Sequence, residues 1–172
     1  MAWMAEGYAP EDVRVANATA RSGGAIGCKP IVYTFAAKTL SKGEPALDFG
    51  AGPKAVHTLR LREEGFQVTA WDFGANFKEG LHDRQALAGK YEVVLASNVF
   101  NVLSQSAVIR AVFEIVQCLK PGGRVIWNFP VSPRKCPGVD EDFIMSEFTR
   151  YGHLTFSSQA HLFVSAVPGG QG

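Results

Sequence analysis

The segment from Asp48 to Gly52, which reads Asp-Phe-Gly-Ala-Gly, carries the clearest chemical signal in the sequence. It stands between a short apolar run and an amphipathic stretch, as a turn from a strand into a helix would. Glycines at such a turn let a ligand approach the backbone and reach the amides at the helix start. Asp72 follows Asp48 by 24 positions (48 to 72), near the spacing that places a carboxylate on the hydroxyl pair of a ribose. Together these features predict a nucleotide or cofactor loop; a tight turn that serves packing alone is the alternative.

The elements that would position this loop follow from the pattern after Pro45. Short apolar runs alternate with amphipathic stretches, which indicates an α/β fold with a mostly parallel sheet. The clearest helix spans 105–119, where apolar residues recur at helical spacing and Ser104 can cap the start. The other predicted elements are strands at 46–49, 68–71, 91–96 and 124–128, helices at 31–40 and 54–64, a helix capped by Asp140, and an antiparallel hairpin of strands 153–157 and 161–167.

Length and charge restrict the class of protein. The chain has 172 residues, 47% of them hydrophobic, which suffices for one domain with its own core. It has no run of about 18 apolar residues and no leader pattern, so we expect a soluble, cytoplasmic protein without membrane contact. With 17 basic and 16 acidic side chains, the net charge of +1 excludes a global field that would gather nucleic acid. We expect an N-terminal capping segment (1–44), a main domain (45–168) and a flexible tail (169–172).

Four motifs occur in an order that is typical of one enzyme family. They are Asp48-x-Gly50-x-Gly52, then Asp72, then Tyr91-Glu92-Val93-Val94, and finally Leu119-Lys120-Pro121-Gly122-Gly123. Over residues 45–130 the chain thereby resembles the class I S-adenosylmethionine (SAM)-dependent methyltransferases. The predicted helix and hairpin at 140–167 are similar to the end of that family, where the last strand inserts antiparallel. The resemblance implies a Rossmann-like methyltransferase sheet, SAM as the cofactor, and methyl transfer as the activity.

The resemblance also implies roles for the residues of the glycine loop and the next strand end. The loop from Gly50 to Gly52 would pass under the methionine part of the cofactor. Asp48 would support that loop and the amino group of the cofactor, and Asp72 would hold the ribose.

Three further residues are implied to lie around the same pocket. Asp83 falls near the place where the family contacts the adenine amino group, and a solvated loop acid is the alternative. Ser97 and Asn98 would face the methyl-donor pocket, since ligands in such sheets bind beyond the carboxyl ends of the strands. Asn98 could instead satisfy the backbone of a turn. The full predicted cofactor site is Asp48, Gly50, Ala51, Gly52, Asp72, Phe73, Asp83, Ser97 and Asn98.

The sequence departs from the family pattern in two places. Lys54 stands where the family has its third glycine, which leaves less room at the helix start. Only residues 73–90 separate the second predicted strand from the strand at Tyr91, and 18 residues are too few for two helices and a full strand. We therefore expect the third strand of the family to be reduced or missing.

A proline-framed loop after the strand at 124–128 is the predicted substrate wall. Asn128 could hydrogen-bond an amine or a base edge, Pro130 would stiffen the loop, and Arg134 could meet a phosphate or carboxylate. The alternative is that the prolines only end the strand and the cation is solvated. The methyl acceptor is predicted to be a small molecule or a nucleic acid, and the near-zero net charge favours the small molecule.

Two other functions are compatible with the same residues. The run from Gly50 to Ala55 also satisfies the Gly-x-Gly-x-x-Ala fingerprint of nicotinamide-dependent oxidoreductases. A non-catalytic module that keeps the fold and binds SAM is the second alternative, suggested by Lys54 and the short middle segment. The four histidines show no metal-ligand spacing, so we predict no metal site; they are His57, His82, His153 and His161.

Overall fold

The computed structural model of the chain describes residues 7–19, 31–130 and 136–169. Within these ranges the chain forms five α-helices and six β-strands. The helices are α1 (Pro10–Thr19), α2 (Ile31–Thr39), α3 (Val56–Glu63), α4 (Gln105–Cys118) and α5 (Glu141–Thr149). The strands are β1 (Ala46–Phe49), β2 (Val68–Trp71), β3 (Tyr91–Ala96), β4 (Leu119–Asn128), β5 (Leu154–Gln159) and β6 (Leu162–Ala166).

All six strands belong to one mixed sheet in the order β2-β1-β3-β4-β6-β5. Strands β1 to β4 are parallel to their neighbours, and β6 is antiparallel to both β4 and β5. The chain leaves β1 toward β2 on one side and returns to β3 on the other, so the strand order reverses between β1 and β3. Ligands of open α/β sheets bind at such a reversal, beyond the carboxyl ends of the strands. The predicted α/β sheet with an antiparallel C-terminal hairpin is confirmed.

Helices cover both faces of the sheet and enclose two apolar clusters. On one face, α4 and α5 pack over an aromatic group in which Trp127 stacks on Phe163 at 4.5 Å and on Phe148 at 6.1 Å between ring centroids. The indole N–H of Trp127 donates to the Ser165 hydroxyl at 2.8 Å, so its buried polar group is satisfied. On the other face, α2 and α3 cover β1, β3 and β4 with aliphatic side chains such as Val32.

Local signals predicted the element ends well. Strands β1, β2 and β3 have the bounds expected from their apolar runs. Ser104 accepts a hydrogen bond from the Ala107 amide at 3.3 Å, and Asp140 accepts one from the Phe143 amide at 2.8 Å. Both residues therefore cap their helices as predicted, because an N-cap depends only on residues within one turn.

Strand β4 begins five residues earlier than predicted, at Leu119 instead of Arg124. The run from Lys120 to Gly123 lies between the predicted helix at 105–119 and the predicted strand at 124–128. In the structure it forms an irregular part of the strand, since the register with β3 moves from Tyr91↔Leu119 to Val93↔Arg124. The positive φ of Gly122 (80°) accommodates the extra residues.

Residues 72–90 connect β2, the edge strand of the sheet, to β3. This segment contains two short 3₁₀ helices, Gly74–Asn76 and Ala86–Ala88, and an isolated bridge between Glu79 and His82. That it replaces a strand of the methyltransferase family stays a prediction.

Helix α1 was not predicted, because its sequence has only a weak apolar face. It packs against the two segments that follow β2 and β3 at the carboxyl edge of the sheet. Asn17 donates to the Phe73 carbonyl at 3.2 Å and accepts from the Ala75 amide at 2.6 Å. Asp12 accepts from the Ser104 amide at 3.2 Å. None of the helices in the described ranges is long and apolar enough to span a membrane.

Replacing Phe148 by alanine tests the aromatic cluster. Phe148 is fully buried, so Phe148→Ala should lower the free energy of unfolding by about 3–5 kcal/mol through lost burial and a cavity. Phe113 lies on α4 and is 39% exposed, so Phe113→Ala should cost less than about 1 kcal/mol. Urea unfolding of both variants at one pH measures the difference; equal losses would contradict the described packing.

Candidate cofactor site

The loop between β1 and α3 is fastened to the end of β2. The amides of Gly50 and Ala51 both donate to the Trp71 carbonyl, at 2.9 and 3.0 Å. Gly50 has a positive φ of 81°, and a Cβ at this position would lie 2.8 Å from Cγ2 of Val99. Glycine is therefore required at position 50, because the backbone is left-handed and the segment after β3 lies directly against it.

Gly52 has a similar backbone conformation, with φ 82°, but a different environment. Apart from its own chain neighbours, no atom lies within 4 Å of the place a Cβ would occupy. Lys54 is exposed and leaves this space open. The loop therefore presents an uncovered stretch of backbone at the strand-order reversal, as a ligand that approaches the main chain requires.

Asp72 lies beside this open backbone, at the end of β2. Its Oδ2 accepts from the Gly52 amide at 2.7 Å and its Oδ1 accepts from the Phe73 amide at 2.8 Å. Asp72 is 4% exposed, and burial raises the pKa of its carboxyl group despite these two amide donors. Oδ2 also accepts from Nδ2 of Asn76 at 3.5 Å, so the remaining acceptor capacity of Asp72 lies mainly at Oδ1.

Asp48 is completely buried under the same loop. Its Oδ1 accepts from the Tyr33 hydroxyl at 2.9 Å and its Oδ2 accepts from the Thr58 hydroxyl at 2.6 Å. Burial raises the pKa of Asp48 to about 6, although both hydroxyl donors oppose the shift. Asp48 thus links β1 to α2 and α3. Its expected contact with the amino group of the cofactor stays a prediction.

Asn98 and Asn128 form a reciprocal pair at the carboxyl ends of β3 and β4. The Asn98 amide donates to Oδ1 of Asn128 at 2.7 Å, and Nδ2 of Asn128 donates to Oδ1 of Asn98 at 2.8 Å. Asn98 is exposed and has a left-handed φ of 54°, which asparagine tolerates. The buried Asn128 therefore fixes the orientation of Asn98, and a contact of Asn128 with a substrate stays a prediction.

The remaining predicted residues differ in burial and in their contacts. The Phe73 ring is buried, 5.0 Å from Tyr8 between ring centroids. Asp83 is exposed and accepts from the Gln85 amide at 2.8 Å, a turn-stabilising contact. Ser97 and Pro130 are half-buried beyond the ends of β3 and β4. Arg134 lies outside the described residues.

His82 contacts the loop of the candidate site, which the sequence did not predict. Its Nε2 lies 2.8 Å from the Gly52 carbonyl oxygen, and its Nδ1 accepts from the Lys78 amide at 2.9 Å. The residue stands 30 positions after Gly52 and belongs to no periodic pattern, so nothing in the sequence signals this contact. No three His, Cys, Asp or Glu side chains in the described ranges lie close enough together to hold a metal ion.

A cavity of about 480 Å³ lies at the opposite edge of the sheet, near the start of β4. Lys90, Lys120 and His153 are among its lining residues. None of the predicted site residues contributes to it, so we place the candidate site at the carboxyl edge, where the loop, Asp72 and the asparagine pair converge.

The residues at this edge fit SAM on two points. The open backbone at Gly52 can receive the methionine part, and the neighbouring Asp72 carboxylate can accept hydrogen bonds from a ribose.

The raised pKa of Asp48 predicts a pH-dependent stability. The native carboxyl group holds its proton up to about pH 6, whereas the ordinary value is 3.8. As the pH rises between these values, the unfolded chain loses its proton first, so the free energy of unfolding falls by at most about 3 kcal/mol. Asp48→Asn cannot ionise and should lack this fall.

Urea unfolding from about pH 4 to pH 7 measures the difference between wild type and Asp48→Asn. Glu63→Gln, at an exposed carboxylate on α3, serves as the control and should keep the wild-type slope. A constant difference between wild type and Asp48→Asn across this range would contradict the prediction.

Several solved structures that are similar to this chain are SAM-dependent methyltransferases. A TehB-like SAM-dependent methyltransferase from Corynebacterium glutamicum is 19% identical, with a TM-score of 0.59, over 78% of this chain and 84% of that chain. Magnesium protoporphyrin IX methyltransferase (ChlM) from Synechocystis, with bound SAM, is 17% identical, with a TM-score of 0.56, over 78% of this chain and 74% of that chain.

A third structure, the glycopeptide N-methyltransferase MtfA complexed with sinefungin, is 14% identical, with a TM-score of 0.58, over 86% of this chain and 99% of that chain. The chain spans only about half the length, 52% to 54%, of several other structures that it resembles. No protein-family model and no curated protein sequence matches it. At these identities the comparisons establish the fold: the chain has the Rossmann-like fold of SAM-dependent methyltransferases.

Proposed function

We propose that this protein binds SAM and transfers its methyl group to a small-molecule acceptor. The observation that carries the proposal is the juxtaposition of the Asp72 carboxylate with the open backbone of Gly52, 2.7 Å apart between Oδ2 and the amide nitrogen. This juxtaposition lies where the strand order of the sheet reverses. An acidic group beside a glycine loop at that point suits a ligand with both a ribose and a part that lies along the main chain.

The chain's own residues would act by binding and alignment. The cofactor supplies an activated methyl group on its sulfonium. Asp72 would hold the ribose, the loop from Gly50 to Gly52 would lie along the methionine part, and Asn98 would border the reacting centre. A neutral amine acceptor needs no strong general base, and alignment in a pocket that excludes water accounts for much of such a rate enhancement.

Two observations support a small-molecule acceptor. The formal net charge of +1 provides no field that would concentrate a polyanion. ChlM and MtfA are described as methyltransferases of magnesium protoporphyrin IX and of a glycopeptide. Nucleic acid as the acceptor, nicotinamide-dependent oxidoreduction, and cofactor binding without turnover are the alternatives that the experiments distinguish.

Calorimetric titration with SAM, S-adenosylhomocysteine and NAD tests the cofactor. We expect the first two to bind and NAD to give no heat. Asp72→Asn should lower the affinity for S-adenosylhomocysteine by about tenfold or more, because the ribose hydroxyls lose a charged acceptor. Glu63→Gln removes a carboxylate at an exposed site on α3 and should bind like wild type.

Binding of NAD alone would favour the oxidoreductase, and absence of all binding would reject the proposed activity. S-adenosylhomocysteine formation is then followed with a panel of small-molecule amines and hydroxyl compounds, and separately with RNA and DNA. Turnover with RNA or DNA alone would show that the acceptor is a nucleic acid and not a small molecule. Binding without turnover on any acceptor would favour the non-catalytic module.

A pair of glycine variants tests whether the cofactor occupies the space at Gly52. Gly52 and Gly152 have nearly the same φ, 82° and 81°, and both would place a Cβ in open space. Each change to alanine should therefore cost a similar stability, about 1 kcal/mol, from left-handed backbone strain. Only Gly52→Ala should lower the affinity for S-adenosylhomocysteine, by about tenfold or more, because the alanine methyl group fills the binding space. Equal affinities of Gly52→Ala and Gly152→Ala would place the cofactor elsewhere.

A further inference from the structure

We propose that His82 is a positioning residue of the cofactor loop: its imidazole holds the Gly52 carbonyl and so fixes the shape of the loop before any ligand binds. The contact itself is a property of the described structure, Nε2 to carbonyl oxygen at 2.8 Å. Its role in ligand binding rests on the proposed function, in which this loop binds SAM.

The protonation of the imidazole follows from its two partners. The Lys78 backbone amide can only donate, so Nδ1 of His82 must be the unprotonated nitrogen that accepts at 2.9 Å. The Gly52 carbonyl can only accept, so Nε2 must carry the proton. One neutral tautomer satisfies both contacts, and the ring donates to the loop as long as this tautomer is kept.

The direction of the ring is set locally, by a turn that is independent of the loop. The His82 backbone amide donates to the Lys78 carbonyl at 3.0 Å. In return, the His82 imidazole accepts from the Lys78 backbone amide. The ring is 6% exposed and lies 5.8 Å from the Phe77 ring between centroids. His82 therefore reaches Gly52 from a closed turn, and the orientation of its ring is fixed by contacts outside the loop.

The backbone polar groups of Gly52 are held from three sides. Its amide donates to Asp72, and its carbonyl accepts from the Ala55 amide at 3.2 Å as well as from His82. Gly52 has a left-handed backbone that glycine adopts readily, whereas Ala55, which precedes α3, has a left-handed φ of 44° that is costly for a residue with a side chain. Because His82 is 30 positions away, it links the loop to the segment after β2 and restrains both residues.

Two variants separate the contact with the loop from the local turn. In His82→Gln the amide nitrogen can still donate to the Gly52 carbonyl, but the acceptor for Lys78 is lost. In His82→Asn the side-chain oxygen can still accept from Lys78, but the side chain is too short to reach Gly52. A role confined to the local turn predicts the larger effect in His82→Gln, and a positioning role predicts the larger effect in His82→Asn.

The first readout is amide hydrogen exchange, resolved by NMR, in the ligand-free protein. We expect His82→Asn to accelerate exchange of the Gly52 and Ala55 amides about fivefold to tenfold. His82→Gln should stay within about twofold of wild type at these amides. The amides of β3 should be unchanged in both variants, which shows that the fold is retained.

The second readout needs no variant, so it stands even if a substitution prevents folding. The nitrogen chemical shifts of the wild-type imidazole should identify Nδ1 of His82 as the unprotonated nitrogen.

The third readout is calorimetry with S-adenosylhomocysteine, whose affinity should fall about fivefold to tenfold in His82→Asn and little in His82→Gln.

A protonated Nδ1, or equal exchange at Gly52 and Ala55 in both variants, would overturn the proposal. Unchanged affinity in His82→Asn together with faster exchange would also overturn it, because the loop shape would then not matter for binding. If wild type binds no S-adenosylhomocysteine, the proposed function fails on its own, while the exchange data still decide whether His82 holds the loop.

Discussion

The backbone of Gly52 is the point on which the arrangement of the carboxyl edge depends. It lies in a left-handed conformation, open to solvent on one side, and each of its polar groups is bound by a residue from the segment after β2. Strand β2 is joined to β1 through regular parallel pairing, so the rigid sheet fixes where Asp72 emerges. The sheet and the neighbouring turn therefore fix the position of the loop, and its own glycines permit the left-handed backbone that these contacts hold.

A second constraint acts one layer deeper, at Asp48. Burying a carboxyl group is costly unless it is hydrogen-bonded or protonated, and here two hydroxyl groups and a raised pKa both contribute. Tyr33 and Thr58 come from the two helices that cover this face of the sheet. Both helices are thus bound to Asp48, which lies in β1 just before the loop. Correct packing of α2 and α3 therefore helps to hold the start of the loop in place.

The sequence predicted most of the sheet but only part of the site, for a physical reason. Buried strands and N-caps depend on residues close in the chain, and the strands β1 to β3 and the caps Ser104 and Asp140 were predicted correctly. The contact of His82 with Gly52 and the pairing of Asn98 with Asn128 join residues 30 positions apart, where no periodicity reports them. Helix α1 was missed since its apolar face is weak and its partners lie on distant loops.

Helix α1 bridges the segments that follow β2 and β3, through Asn17 on one side and Asp12 on the other. These two segments flank the loop, so the contacts of α1 help to fix the geometry of the site. Helix α1 therefore restrains the separation of the two sides of the site, although it contributes none of the predicted cofactor contacts.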